Sequence, residues 1–144
     1  MSEQIDIFLV DDNQDDLDLT FAALKETNPK LHIATARDGA EALDFLLCRG
    51  KFETRNSASQ PKLVLLDIKL PKVDGLEVLK SIKQHPHTQH IPVVMLTSST
   101  RKQDLDASYK GGANSYLVKS VDYEQFMRDV QQLGQYWLGL NQPV

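Results

Sequence analysis

The stretch KLVLLDIKLPKVDGLEVLKSIKQ, Lys62–Gln84, decides the fold. Leu63–Leu66 is an unbroken apolar run that halts on Asp67. Such a run, with no polar alternation, suits a strand buried on both faces. Leu70-Pro71 reads as loop. Asp74 with Glu77 three residues on is a capping-box pattern, and it predicts a helix burying Leu76, Val78, Leu79 and Ile82. A buried strand followed by an amphipathic helix is one unit of a parallel α/β sheet, whose crossover helices cover the strands.

The same unit recurs on both sides. Ile5–Val10 (IDIFLV) is a strand stopping on Asp11-Asp12-Asn13, and a helix follows with Leu17, Phe21, Leu24 and Ala22 on one face until Asn28-Pro29. Leu31–Ala36 (LHIATA) is a second strand. Asp38 with Glu41 opens a helix that buries Ala42, Leu43, Leu46 and Leu47 and runs out near Gly50. Polar Lys51–Lys62 reads as a long surface loop, and His85–His90 as a short one. Ile91–Leu96 (IPVVML) is an apolar strand ending on Thr97. Arg101–Lys110 is a weak polar helix stopped by Gly111-Gly112. Ser115–Val118 (SYLV) is a fifth strand, ending on Lys119. Asp122 with Gln125 opens the last helix, with Phe126, Val130, Leu133 and Trp137 inward. Five β-α units in succession predict a doubly wound parallel sheet with helices on both faces, in one domain spanning residues 1–144.

Composition narrows the function classes. The 144 residues are 41% hydrophobic and 25% charged, with 7 Gly and 6 Pro, which excludes collagen, a disordered tail and a disulfide-stapled miniprotein. No apolar run approaches the ~20 residues of a membrane span. The start, Met1–Asp6, has neither the basic nor the apolar region of a secretory leader. Cys48 is the only cysteine and reads as a small buried packing residue, which suits a reducing cytoplasm. Twenty acidic residues against 16 basic give a net charge of −4. No Lys or Arg precedes Lys25, whereas Glu3, Asp6, Asp11, Asp12, Asp15, Asp16 and Asp18 do. That asymmetry argues against nucleic acid as a partner and for either a solvated acidic face or a bound cation.

Ligands of open α/β sheets bind outside the carboxyl ends of the strands. This chain would bring together there Asp11 and Asp12 from strand one, Asp67 from strand three, Thr97 and Ser98 from strand four, and Lys119 from strand five. Taken singly, each has a bland reading: a helix-start acid, a strand end, a β-branched residue, a solvated charge. Four functional residue types at four strand ends by accident is the weaker account. Crowded carboxylates raise each other's pKa unless a cation joins them. Mg²⁺ takes few protein carboxylates, at ~2.0–2.1 Å, and keeps other positions for water and phosphate oxygens. A carboxylate can also attack phosphorus, and a metal, a lysine and a hydroxyl together would neutralise the transferring group.

At these residues the chain resembles the receiver domain of two-component response regulators. The matching stretches are FLVDDN at Phe8–Asn13, LVLLDIKLPKVDGLEVL at Leu63–Leu79, PVVMLTSS at Pro92–Ser99 and GGANSYLVKS at Gly111–Ser120. The likeness covers nearly the whole chain. It implies a flavodoxin-like (βα)5 fold with strand order 2-1-3-4-5 and Asp67 as phosphoacceptor. It implies a Mg²⁺ site of Asp11, Asp12, Asp67 and the Lys69 carbonyl, with Asp12 the direct ligand and Asp11 acting largely through water. Thr97 would be the switch hydroxyl, Lys119 the phosphoryl-binding ammonium and Tyr116 the switch aromatic. The loop Lys51–Lys62, the TSS after strand four and the Tyr/Trp-containing last helix are similar to small receivers paired with cyanobacterial phytochrome kinases. The likeness departs from the family at Ser120, where receivers usually carry proline, often cis. A non-proline cis bond costs ~3 kcal/mol, so that peptide geometry is not carried over.

The resemblance implies a cytoplasmic, phosphoryl-accepting signalling protein rather than an enzyme, with a sensor histidine kinase, such as a phytochrome, as donor. No output domain is expected beyond Val144, so the output would pass by contact to a downstream protein. The resemblance also implies a homodimer through the face of helix four, strand five and helix five, and apolar Tyr136–Leu140 would join it. Leu133, Trp137 and Leu140 share a face by helical spacing, leaving Tyr136 and Leu138 elsewhere. Two rivals remain. A Mg²⁺-dependent phosphatase with an aspartyl nucleophile would want an acid where Lys69 stands, and a binding-only receiver would lack part of the site. His85, His87 and His90 have no fourth zinc ligand nearby, and no phosphate-binding glycine motif occurs.

Overall fold

The computed structural model describes residues 4–143. Its strands are the short apolar runs: β1 (Ile7–Val10), β2 (Ile33–Ala36), β3 (Leu63–Leu66), β4 (Val93–Thr97) and β5 (Ser115–Val118). Between and after them lie α1 (Gln14–Thr27), α2 (Gly39–Leu46), α3 (Gly75–Gln84), α4 (Lys102–Lys110) and α5 (Tyr123–Gln135). All strand pairs are parallel, in the order β2-β1-β3-β4-β5, the doubly wound arrangement expected. Three strands start two residues later than the apolar runs suggest. Ile5, Leu31 and Ile91 pack on the core from outside the ladder.

Alternate side chains of the buried strands enter two cores. Phe8, Val10, Val64, Leu66, Val93 and Met95 pack under α2 and α3. Ile7, Leu9, Leu63, Leu65, Val94 and Leu96 pack under α1 and α5. Burial of both faces is what leaves β1 and β3 wholly apolar, and β4 apolar up to its last residue, Thr97.

Four local expectations change. On α1 the buried stripe is Leu17, Thr20, Ala23 and Leu24, while Phe21 and Ala22 are exposed. Phe21 lies at the margin, with the Lys25 ammonium 5.7 Å from its ring centroid. Asp74 precedes α3 but makes no capping hydrogen bond with its side chain. Gly75 matters more there: a Cβ at that position would lie 2.0 Å from the Asp67 carbonyl oxygen.

The segment 51–62 is a largely exposed loop, as read, and it is pinned to the domain. A 3-10 turn at Gly50–Phe52 sets Phe52 edge-on to Phe45, and Gln60 is buried with its amide donating to the Leu46 carbonyl. Arg55 stacks over Phe45 and donates to the Phe45 and Ser59 carbonyls. Cys48 is half-buried beside Arg55, with φ +54° just beyond α2, and so is a helix-end residue rather than a core thiol. Finally, α5 runs into a π-helical turn, Tyr136–Leu140. The wider turn breaks the 3.6-residue phase. Trp137 and Leu138 therefore pack on the core, and Leu140 is exposed with Tyr136.

Candidate functional site

Asp11, Asp67 and Lys119 each sit just past a strand, where the backbone leaves the ladder. Asp11 follows β1, and its Oδ1 accepts the Asn13 N–H at 3.0 Å. Asn13 in turn caps α1 by accepting the Asp16 N–H at 3.0 Å. Asp67 follows β3, and its Oδ1 accepts the Ile68 N–H at 2.7 Å. Both acids are nearly buried, at 6% and 7% exposure. Asp12 is exposed, and its carbonyl accepts the Arg37 guanidinium at 2.7 Å.

Lys119, just past β5, reaches across this edge. Its ammonium donates to Asp11 Oδ2 at 2.7 Å, Asp67 Oδ2 at 2.9 Å and Asp16 Oδ2 at 2.9 Å. Its side chain is 8% exposed. Burial disfavours the ammonium, but the hydrogen bonds to Asp11, Asp16 and Asp67 outweigh it and hold Lys119 above the ordinary lysine range. Burial also pushes the Asp11 carboxyl up, against the opposing pull of Lys119 and the Asn13 amide. Three carboxyl groups gather around one ammonium.

Asp11, Asp12 and Asp67 each offer an oxygen within 4.8 Å of the others. That all-oxygen set suits a hard divalent cation. The histidines of residues 85–90 form no such group among the described residues. Lys69 lies exposed in the β3–α3 loop. Thr97 ends β4, and its hydroxyl accepts the Ser99 N–H at 3.2 Å. Tyr116 on β5 donates from its hydroxyl to the Ser99 carbonyl at 3.0 Å and packs half-buried on the α2–α3 side of the sheet. The Ser99 peptide therefore joins Thr97 to Tyr116. The described residues contain no cis peptide, so Lys119–Ser120 is trans.

Two participants, Asp16 and Arg37, escaped the sequence reading. Asp16 was one acid among many at a helix start, and Arg37 donates to Gln14 Oε1 at 2.6 Å as well as to the Asp12 carbonyl. Neither stands at the end of a strand, which was the signal used. Ser99, two residues beyond Thr97, donates from its hydroxyl to the buried Asp104 carboxylate.

A five-stranded parallel sheet carrying acids, a hydroxyl and a lysine at its carboxyl edge defines the receiver class. The chain belongs to that family: the response regulator receiver domain model matches residues 7–131. It is 40% identical to the response regulator Rcp1 of Synechocystis over 92% of this chain and 88% of that one. The Mn²⁺-bound form of Rcp1 superposes with a TM-score of 0.88 at 38% identity, covering 96% of this chain and 97% of the other. The phosphorylated cyanobacterial phytochrome response regulator RcpA gives 0.90 at 38%, covering 98% and 99%. The bacteriophytochrome response regulator AtBRR gives 0.75 at 49%, covering 98% and 100%. The chain is thus a receiver-domain response regulator of phosphorylation-dependent two-component signalling, with a histidine kinase as partner and an acidic pocket for a divalent metal. No helix among the described residues is long and apolar enough to cross a membrane.

Proposed function

We propose that Asp67 accepts the phosphoryl group from a kinase phosphohistidine, in a cytoplasmic relay. The observation that carries this reading is the Lys119 ammonium on Asp67 beside the oxygen set of Asp11, Asp12 and Asp67. A carboxylate oxygen of Asp67 attacks phosphorus, the P–N bond breaks, and its electron pair stays on the imidazole nitrogen. Mg²⁺, held by Asp11, Asp12, Asp67 and the Lys69 carbonyl, supplies charge neutralisation when bound. Lys119 steadies the transferred oxygens. Thr97 turns its hydroxyl towards the new group and gives up the Ser99 N–H. Tyr116 is already seated on the Ser99 carbonyl, so the loop after β4 feels that change.

The likeness to RcpA, Rcp1 and AtBRR supports a phytochrome as the donor kinase. Lys69, where a phosphatase of this chemistry would place its acid, favours signalling over turnover. The output passes by contact to a downstream protein. Leu105, Tyr109, Val118, Val121 and Tyr123 are exposed on α4, β5 and the approach to α5, and they support a homodimer through that face. Tyr136 and Leu140 at the end of the chain join it.

Intact-mass measurement after acetyl phosphate and Mg²⁺ tests the site. The wild type is expected to gain one phosphoryl group labile to both acid and base, as an acyl phosphate is, and Asp67→Asn none, because an amide is no nucleophile. An Asp67→Asn chain phosphorylated to the wild-type yield would show that the acceptor lies elsewhere.

A further inference from the structure

An ammonium has three N–H donors. Lys119 directs one to each of Asp11, Asp16 and Asp67, at 2.7, 2.9 and 2.9 Å. Its near-complete burial leaves little room for water to share that work. Asp16 differs from the other two partners. It comes from the first turn of α1 rather than from a strand end, and its side chain is 32% exposed. It is also outside the oxygen set of Asp11, Asp12 and Asp67.

The position of Asp16 is fixed by its backbone. Its N–H donates to the capping Asn13 side chain at 3.0 Å, and its carbonyl accepts the buried Thr20 hydroxyl at 2.8 Å. A capped helix turn therefore presents the carboxylate to Lys119. Neighbouring Asp15, in the same turn, is exposed and makes no ion pair with Lys119.

A phosphoryl group on Asp67 brings new negative charge and needs donors. Asp16 takes one of the three donors and adds a negative charge beside the group. We propose that Asp16 is a positioning residue that holds the Lys119 ammonium in the resting site and competes with the phosphoryl group for it. This rests on the reading of Asp67 and Lys119 given above. Asp16 thereby sets how strongly the phosphorylated state is held.

The test uses the full chain and beryllium fluoride, which takes the tetrahedral shape of a phosphoryl group on a carboxylate. It is titrated at saturating Mg²⁺ and followed by fluorine NMR. A partly exposed ion pair is worth at most about fivefold in an equilibrium constant. Asp16→Asn is accordingly expected to half-saturate at a beryllium fluoride concentration about fivefold lower than wild type. Asp15→Asn, with the same change of charge in the same helix turn, is expected to match wild type. Asp16→Ser is measured alongside and should move in the direction of Asp16→Asn, covering the case in which the amide disturbs the fold. Equal or weaker binding by the Asp16 variants overturns the proposal, as does an equal gain by Asp15→Asn. A wild type that takes up no beryllium fluoride overturns the Asp67 reading and this inference together. A wild type that binds while the Asp16 variants show no gain overturns this inference alone.

Discussion

Lys119 is where the electrostatics of the molecule concentrate. Asp11 and Asp67 are nearly buried, and the lysine ammonium touches both. Removing one partner of a buried ion pair costs far more than the pair itself contributes, because the charge left behind is neither solvated nor paired. Lys119→Ala in the presence of a chelator is therefore expected to lose about 3 kcal/mol of stability. A divalent cation replaces the missing positive charge, so millimolar Mg²⁺ should restore part of the loss and stabilise the variant more than the wild type. Urea unfolding with and without Mg²⁺ measures both quantities. A variant as stable as wild type without metal would mean that the acids do not depend on this lysine. The strand-end residues of this cluster were legible in the sequence, because parallel strands all deliver their last residues to one edge. Asp16 was not, since its partner lies 103 positions away and only the packing of α1 brings them together.

At the scale of the elements, the buried strands could be read almost directly, because burial on both faces keeps β1 and β3 apolar throughout and β4 apolar up to Thr97. Helix starts were less uniform. Asp38 and Asp122 cap α2 and α5 by accepting the Glu41 and Gln125 N–H groups, as their spacing suggests. Asp74 fits the same pattern and makes no such bond, since the approach of Gly75 to the Asp67 carbonyl governs that turn. Phe21 was misread because helical spacing fixes a face but not its phase against the sheet, and Leu138 and Leu140 because the π-helical turn abandons that spacing. The Asp38 cap has a consequence in pH. The Glu41 N–H holds the Asp38 carboxyl below its ordinary value of 3.8, with the Lys72 ammonium contributing. A carboxylate depressed in the folded state stabilises it above the unfolded value and loses that effect as pH falls through the folded one. Asp38→Ala is expected to cost about 1 kcal/mol near neutral pH. The gap between variant and wild type should persist down to about pH 4 and close below it. Thermal unfolding across that range checks it, and a gap independent of pH would assign the effect to something other than the charged cap.

At the scale of the whole molecule, the carboxyl end of the sheet and its β5 edge do different work. The carboxyl ends of the strands carry the acids and Lys119, while apolar side chains collect on α4, β5 and the approach to α5. Leu105 and Tyr109 are one helical turn apart on α4, and Val118 is exposed on the adjacent edge strand. A two-fold pair would cover that patch twice, which is how most homodimers form. Shortening the chain after Leu133 is a poor test, because Trp137 and Leu138 cover the core beneath α1 and α5 and their loss would uncover it. Substitution on the patch is cleaner. Leu105→Arg with Tyr109→Arg places two cations on each facing copy, leaves both cores untouched, and is expected to convert a dimer into a monomer. Sedimentation velocity at high micromolar concentration, before and after phosphorylation, reads the change. Retained phosphoryl uptake by the double variant would show that its site is intact. A wild-type chain that stays monomeric under both conditions would overturn the homodimer.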